Sequence, residues 1–172
     1  MTATPQDPAI FGPGASRIEI AERSPAHPDA ARLLREFYRE QMVQYGFADP
    51  VELSSCEYQA PNGVFAVVYL GTVPAGCGGY RWFDRAARTV EIKKTYVVPG
   101  SRRLGAGRAL MSWLEQHAVA AGARRAVLET GVRNTAALSL FTSAGYRPVD
   151  RYVDGRDPAI NRAFARSLVS PG

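Results

Sequence analysis

Hydrophobic positions recur with a period of two in some stretches of the chain and near 3.6 in others, which divides it into elements. Residues 17–21 (RIEIA) alternate as a short strand. Over residues 29–45, Leu33, Leu34, Phe37, Tyr38, Met42 and Tyr45 lie at helical spacing, and Gly46 supplies a stop. Asn62-Gly63 marks a turn before VFAVVYL, which reads as a buried strand. Residues 71–75 turn the chain into a glycine-rich stretch, GCGGYRWF, and residues 84–88 turn it again. Residues 89–98 (TVEIKKTYVV) then make a long strand, and the three strands are expected to form an antiparallel meander.

Pro99-Gly100 ends the long strand, after which Leu110, Trp113, Leu114, His117, Ala118 and Ala121 restore helical spacing up to Gly122. Residues 125–130 (RAVLET) predict a strand, and residues 134–144 a helix stopped by Gly145. Residues 146–149 and 164–168 predict two further strands. From residue 89 the order is strand, helix, strand, helix, strand, which predicts a mixed α/β sandwich. Neither a repeat nor a Pro/Gly/Ser-rich linker interrupts residues 17–168, so they are expected to form one domain. Residues 1–16 read as a flexible leader and 169–172 as a tail.

Composition narrows the classes. The chain has 172 residues, 46% apolar and 22% charged, ordinary proportions for a globular domain that needs no staples. The leader lacks the apolar run of a secretory signal, and no segment approaches the ~18 apolar residues of a membrane span. A cytoplasmic protein with no membrane partner is expected. Cys56 and Cys77 have neither CxxC spacing nor a nearby histidine pair, so buried free thiols and no metal site are expected. The net charge of +5 admits nucleic acid or a small polyanion. The arginines are spread from Arg17 to Arg166 without an arginine–aromatic face, which argues against nucleic acid. Their densest knot, Arg102, Arg103 and Arg108, surrounds glycines.

That knot lies between a predicted strand and a predicted helix. A helix start leaves N–H groups unpaired and attracts anions, and Gly105 and Gly107 remove side chains that would keep a phosphate away. A P-loop needs GxxxxGK[ST], and no Lys-Ser or Lys-Thr pair follows these glycines. A GxGxxG dinucleotide fingerprint fails at Leu110. The pattern that remains, Arg102-x-x-Gly105-x-Gly107, resembles the Q/R-x-x-G-x-G/A signature of the GNAT superfamily of N-acetyltransferases. Its context resembles the family too: Glu91 in the preceding strand, Leu128-Glu129-Thr130 ending the next, then Asn134, Ala137, Leu140-Phe141 and Gly145-Tyr146.

The resemblance implies a central mixed, mostly antiparallel sheet flanked by helices, with acetyl-CoA as co-substrate and an amine as acceptor. It implies that Arg102, Arg103, Leu104, Gly105, Ala106, Gly107 and Arg108 cradle the pyrophosphate. Tyr96 and Val98 would offer main-chain contacts to the pantetheine arm, and Val97 its N–H to the thioester carbonyl. Asn134 matches a family asparagine able to reach the cofactor, and is equally a good helix cap. Phe141 stands where the family often carries a tyrosine that protonates the leaving thiolate. It cannot donate a proton but can pack on the cofactor arm, and Tyr96, Tyr80 and Tyr146 are the available substitutes. Glu91 is the candidate base, Glu129 the runner-up; as a plain strand-face charge, Glu91 would instead pair with Lys93 or Lys94. Tyr38, Tyr45, Phe47, Glu52, Glu57 and Tyr58 supply either aromatics and carboxylates suited to a cationic, small-molecule amine or core aromatics and surface acids. The resemblance also allows a homodimer. A CoA-binding sensor without catalysis is the alternative, and the missing tyrosine favours it.

Overall fold

The computed structural model describes residues 17–49 and 53–170; the leader, Glu52 and the last two residues of the tail lie outside them. Seven strands form one sheet: β1 (Ile18–Glu22), β2 (Gly63–Leu70), β3 (Val73–Asp84), β4 (Thr89–Val97), β5 (Arg125–Gly131), β6 (Arg147–Val149) and β7 (Asn161–Ser167). They run in the order β1-β2-β3-β4-β5-β7-β6, and every neighbouring pair is antiparallel except β4 with β5. The helices are α1 (Pro28–Tyr45), α2 (Ala106–Ala120) and α3 (Thr135–Ser143). None of these is long and apolar enough to cross a membrane. The mixed, mostly antiparallel architecture expected from the sequence is the one observed.

β2 shows why the sheet carries helices on both faces. Val64, Ala66 and Val68 pack with Leu110, Met111 and Leu114 of α2, whereas Phe65 and Val67 pack with Leu33 and Leu34 of α1. Alternate residues of a strand point to opposite faces, so α1 and the α2/α3 pair cover opposite sides. The glycine-rich stretch lies in the twelve-residue strand β3, which starts at Val73, inside the turn expected over residues 71–75. A Cβ at Gly79 would stand 2.5 Å from the Val64 carbonyl oxygen and 2.9 Å from the Tyr58 ring, so glycine lets Tyr58 lie across the strand. The last strand begins at Asn161, three residues ahead of the expected start, because β7 inserts between β5 and β6 and pairs with both. Cys77 is buried, but Cys56 is exposed in the turn before β2, which corrects the expectation of two buried thiols.

Candidate active site

Two irregularities in β4 build the site. The first is a bulge. Gly79 pairs with Lys93 and Cys77 with Tyr96, so β4 spends one extra residue there, and Lys94 takes φ +59°. The bulge reverses the in–out parity of the strand. Val90 and Ile92 face the α2 side, and beyond the bulge Val97 does so while Tyr96 and Val98 face α1. The second is the short parallel pairing with β5, confined to Thr89–Arg125, Val90–Ala126 and Glu91–Val127. Past it the two strands part, leaving a cleft of about 810 Å³ that α2 and α3 flank. Ligands gather at such carboxyl ends of parallel strands.

The mouth of the cleft is the start of α2. Arg103 at φ +64° and Gly105 at φ +89° coil the loop, and Gly105 caps α2 without any side chain to satisfy the first N–H groups. No acidic residue occupies the first turn, so the positive end of the helix is left for an anion. A Cβ at Gly107 would come within 3.1 Å of Leu140, so glycine keeps α2 close to α3. Arg103 and Arg108 are exposed, line the cleft and make no ion pair among the described residues. Arg102 is committed elsewhere. Its Nε donates to the Val97 carbonyl at 2.9 Å, and one Nη donates to both oxygens of Glu40 on α1 at 2.8 and 2.7 Å.

On the α1 side, the cleft meets a smaller cavity of about 100 Å³; Phe37 and Asn134 line both. Tyr45 secures that corner: its hydroxyl accepts from the Arg133 N–H at 3.0 Å, and a side chain at Gly131 would collide with it. Glu91, Glu129, Asp49, Lys93, Lys94 and Arg156 bring three carboxylates and three cations into the cavity. Glu91 is 2% exposed and closely held. Arg81 Nε donates to one oxygen at 3.2 Å, the Tyr152 hydroxyl donates to the other at 3.1 Å, and Lys93 Nζ stands 3.5 Å away. Glu129 makes one ion pair among the described residues, with Arg156 Nε at 3.2 Å. Burial pushes its carboxyl above the ordinary range, although Arg156 opposes the shift.

Comparison with known proteins resolves what this geometry belongs to. The family model for the acetyltransferase (GNAT) family matches residues 31–146, from α1 through the cleft to the end of α3. The chain belongs to the GNAT acetyltransferase family. It is therefore an enzyme of that class. It is 28% identical to the IAA acetyltransferase of Azospirillum brasilense over 129 residues, 75% of this chain and 84% of that one. Its fold is similar to that of an acetyltransferase of the GNAT family from Staphylococcus aureus Mu50 (TM-score 0.72, 19% identity, 89% of this chain and 100% of that one). It is also similar to that of the PaiA N-acetyltransferase of Thermoplasma acidophilum in complex with coenzyme A (TM-score 0.69, 13% identity, 88% and 99%).

The residues singled out in this GNAT chain take up distinct places. Tyr96, Val97, Arg102, Arg103, Gly105, Gly107, Arg108 and Asn134 line the cleft. Leu104 is exposed on the loop, and Ala106 is buried as the first residue of α2. Val98 is a correction for its N–H, which donates to the Ala75 carbonyl; its own carbonyl accepts from the Ser101 N–H and keeps one lone pair. Backbone groups alternate sides along a strand, so Tyr96 also directs its N–H at β3 while that of Val97 faces the cleft. Phe141 is a second correction. It is 4% exposed, packs against Tyr146 in the core and does not line the cleft; Leu140 does. Of the substitute tyrosines, Tyr80 bonds His117 at 2.8 Å and Tyr146 donates to Glu115 at 3.0 Å, both away from the cleft. Tyr96 lines it, and burial pushes its hydroxyl up to about 12, so the proton stays on at neutral pH. Sequence reasoning missed Glu40, Asp49, Tyr152 and Arg156 because each reaches the site from another part of the chain. It did include the Glu91–Lys93 pairing.

Proposed function

We propose that this enzyme transfers an acetyl group from acetyl-CoA to the primary amine of a small molecule. One observation carries the reading: a helix mouth without a side-chain cap, flanked by two arginines that make no ion pair among the described residues, opens into a cleft that meets a cavity lined by carboxylates and cations. Open N–H groups at Ala106, Gly107 and Arg108, with Arg103 and Arg108 beside them, fit a pyrophosphate, and the Gly107 position leaves that approach bare of side chain. Bound acetyl-CoA supplies an activated thioester. The Val97 N–H is the free main-chain donor for the arm that carries it. Asn134 caps α3 through its Oδ1, which accepts from the Ala137 N–H at 3.1 Å, and holds the corner where donor and acceptor meet.

An amine must lose a proton before it can attack. Glu91 remains a candidate base, but both its oxygens already accept hydrogen bonds. A second reading follows from that geometry: Glu129, with a raised pKa and one ion pair among the described residues, takes the proton, and Glu91 anchors Arg81, Lys93 and Tyr152 around it. A carboxyl shifted upward is the better base near neutral pH. Tyr96 is the cleft's hydroxyl donor toward the departing sulfur. Thiol release from acetyl-CoA over a panel of amines tests the function. Turnover with some amines, and E129Q cutting kcat/KM by about 10²-fold, is the expected result. Acetyl-CoA binding without release for any amine would favour the sensor alternative.

A further inference from the structure

The cavity beside the cleft is electrically balanced, and its pairs are loose. Three ion pairs elsewhere close to 2.6–2.7 Å, Arg166–Glu115, Arg81–Glu57 and Arg102–Glu40, while the exposed Arg32–Glu36 pair stands at 3.1 Å. Within the cavity they stand at 3.2–3.7 Å: Glu129–Arg156 at 3.2 Å, Asp49–Arg156 at 3.5 Å and Asp49–Lys94 at 3.7 Å. Lys94 is the unusual member. It sits on the bulge at φ +59°, its side chain is 8% exposed, and Asp49 is its one carboxylate neighbour among the described residues. An ammonium so withdrawn from water normally has close acceptors; burial accordingly lowers its pKa, against the pull of Asp49. Lys94 from β4 and Arg156 from the β6–β7 connection therefore converge on one carboxylate, that of Asp49 behind α1. Arg156 gives Asp49 one long hydrogen bond at 3.5 Å and Lys94 stands 3.7 Å from it, so among the described residues both cations keep N–H groups without a close acceptor.

A plain cationic amine entering here would draw on Glu129 and Asp49 but would bring no group for Lys94 and Arg156 to hold. A plain anion would face Glu129 and Asp49. A molecule carrying both signs satisfies both sets. On the acetyl-transfer reading above, we infer that the acceptor is an aminocarboxylate whose carboxylate is seated by Lys94 and Arg156 while its amine is directed to Glu129. Asp49 shows that this two-cation seat accepts a carboxylate. In the reaction the amine nitrogen bonds to the acetyl carbon as the carbon–sulfur bond breaks. One proton passes from the ammonium to Glu129 and on to solvent; the sulfur takes a proton from Tyr96 and departs as thiol, and Tyr96 regains one from the nitrogen.

The test is thiol release with matched acceptors sharing one skeleton: phenylalanine, its methyl ester and phenethylamine, with an aliphatic set in parallel. The free aminocarboxylate of at least one set is expected to exceed its ester and its decarboxylated amine at least tenfold in kcat/KM. K94M is expected to shrink that ratio at least fivefold through the KM of the aminocarboxylate. R156Q serves the same purpose should K94M fail to fold. Amines lacking a carboxylate turning over as well as their acid counterparts, or K94M and R156Q leaving the ratio unchanged, would overturn the inference and leave acetyl transfer intact. Release with no acceptor of either kind would overturn both.

Discussion

Glu91 and Glu129 sit on neighbouring strands yet carry different physical burdens. Glu91 is buried between two cations, and removing one partner of a fully buried pair costs about 3–5 kcal/mol, a figure lowered here because Arg81 is partly exposed and also pairs with Glu57. E91Q is therefore expected to lower the melting temperature, because Lys93 loses its one ion pair among the described residues and Arg81 is left with Glu57 alone. Glu129 is pushed toward its neutral form by burial, so charging it works against folding rather than for it. The sign follows directly: E129Q should leave stability unchanged or raised at neutral pH. Its catalytic signature should be separate. With Glu129 as base, kcat/KM rises as pH climbs through a midpoint above the ordinary carboxylate range, and that acid limb vanishes in E129Q. Thermal melts and pH–rate profiles of the two variants decide the assignment. A limb that persists in E129Q and disappears in a folded E91Q would return the base role to Glu91.

At the scale of elements, the loop between β4 and α2 divides labour among its arginines. Arg102 fastens the end of β4 to α1 through Val97 and Glu40, whereas Arg103 and Arg108 stay exposed beside the helix mouth. R103A and R108A are each expected to weaken acetyl-CoA binding about fivefold, roughly the 1 kcal/mol of a solvent-facing charged contact, and to flatten its salt dependence. R102A should instead cost stability, since it also strands Glu40 at the cleft wall. Calorimetry at two ionic strengths alongside melting separates these outcomes; R102A with unchanged stability and lost salt dependence would contradict the division. The glycines and arginines of this loop were legible in the sequence because an anion site at a helix start is a local pattern. The strand before it, the Asn134 cap and the overall layering were legible for the same reason. The bulge was not, since an extra residue shows only against the partner strand. Nor was the Arg102–Glu40 pair, whose members are 62 residues apart, or the Asp49–Arg156 pair, 107 apart. Phe141 was misplaced because spacing on a nine-residue helix does not say which of two adjacent positions faces the core.

Across the whole molecule, the sheet is joined side by side except where β4 and β5 part, and the separation makes the cleft possible. The two core clusters, one beneath α1 and one beneath α2 and α3, meet through β2, β3 and β4 but not across that gap. A ligand lying in it would touch β4, the start of α2 and α3 at once, adding contacts the fold itself lacks. One-site linkage at a hundredfold excess over Kd adds about 2.7 kcal/mol. For a domain of this size, that corresponds to a melting-temperature rise of about 5–11 °C with acetyl-CoA. The gain should also be local. Amide exchange is expected to slow at Val97, at Ala106–Arg108 and along the free end of β5, while β1 and β2, remote from the gap, change little. A rise in melting temperature with protection elsewhere would mean that binding bypasses the cleft. No rise at all would mean that the parted strands are not the acetyl-CoA site.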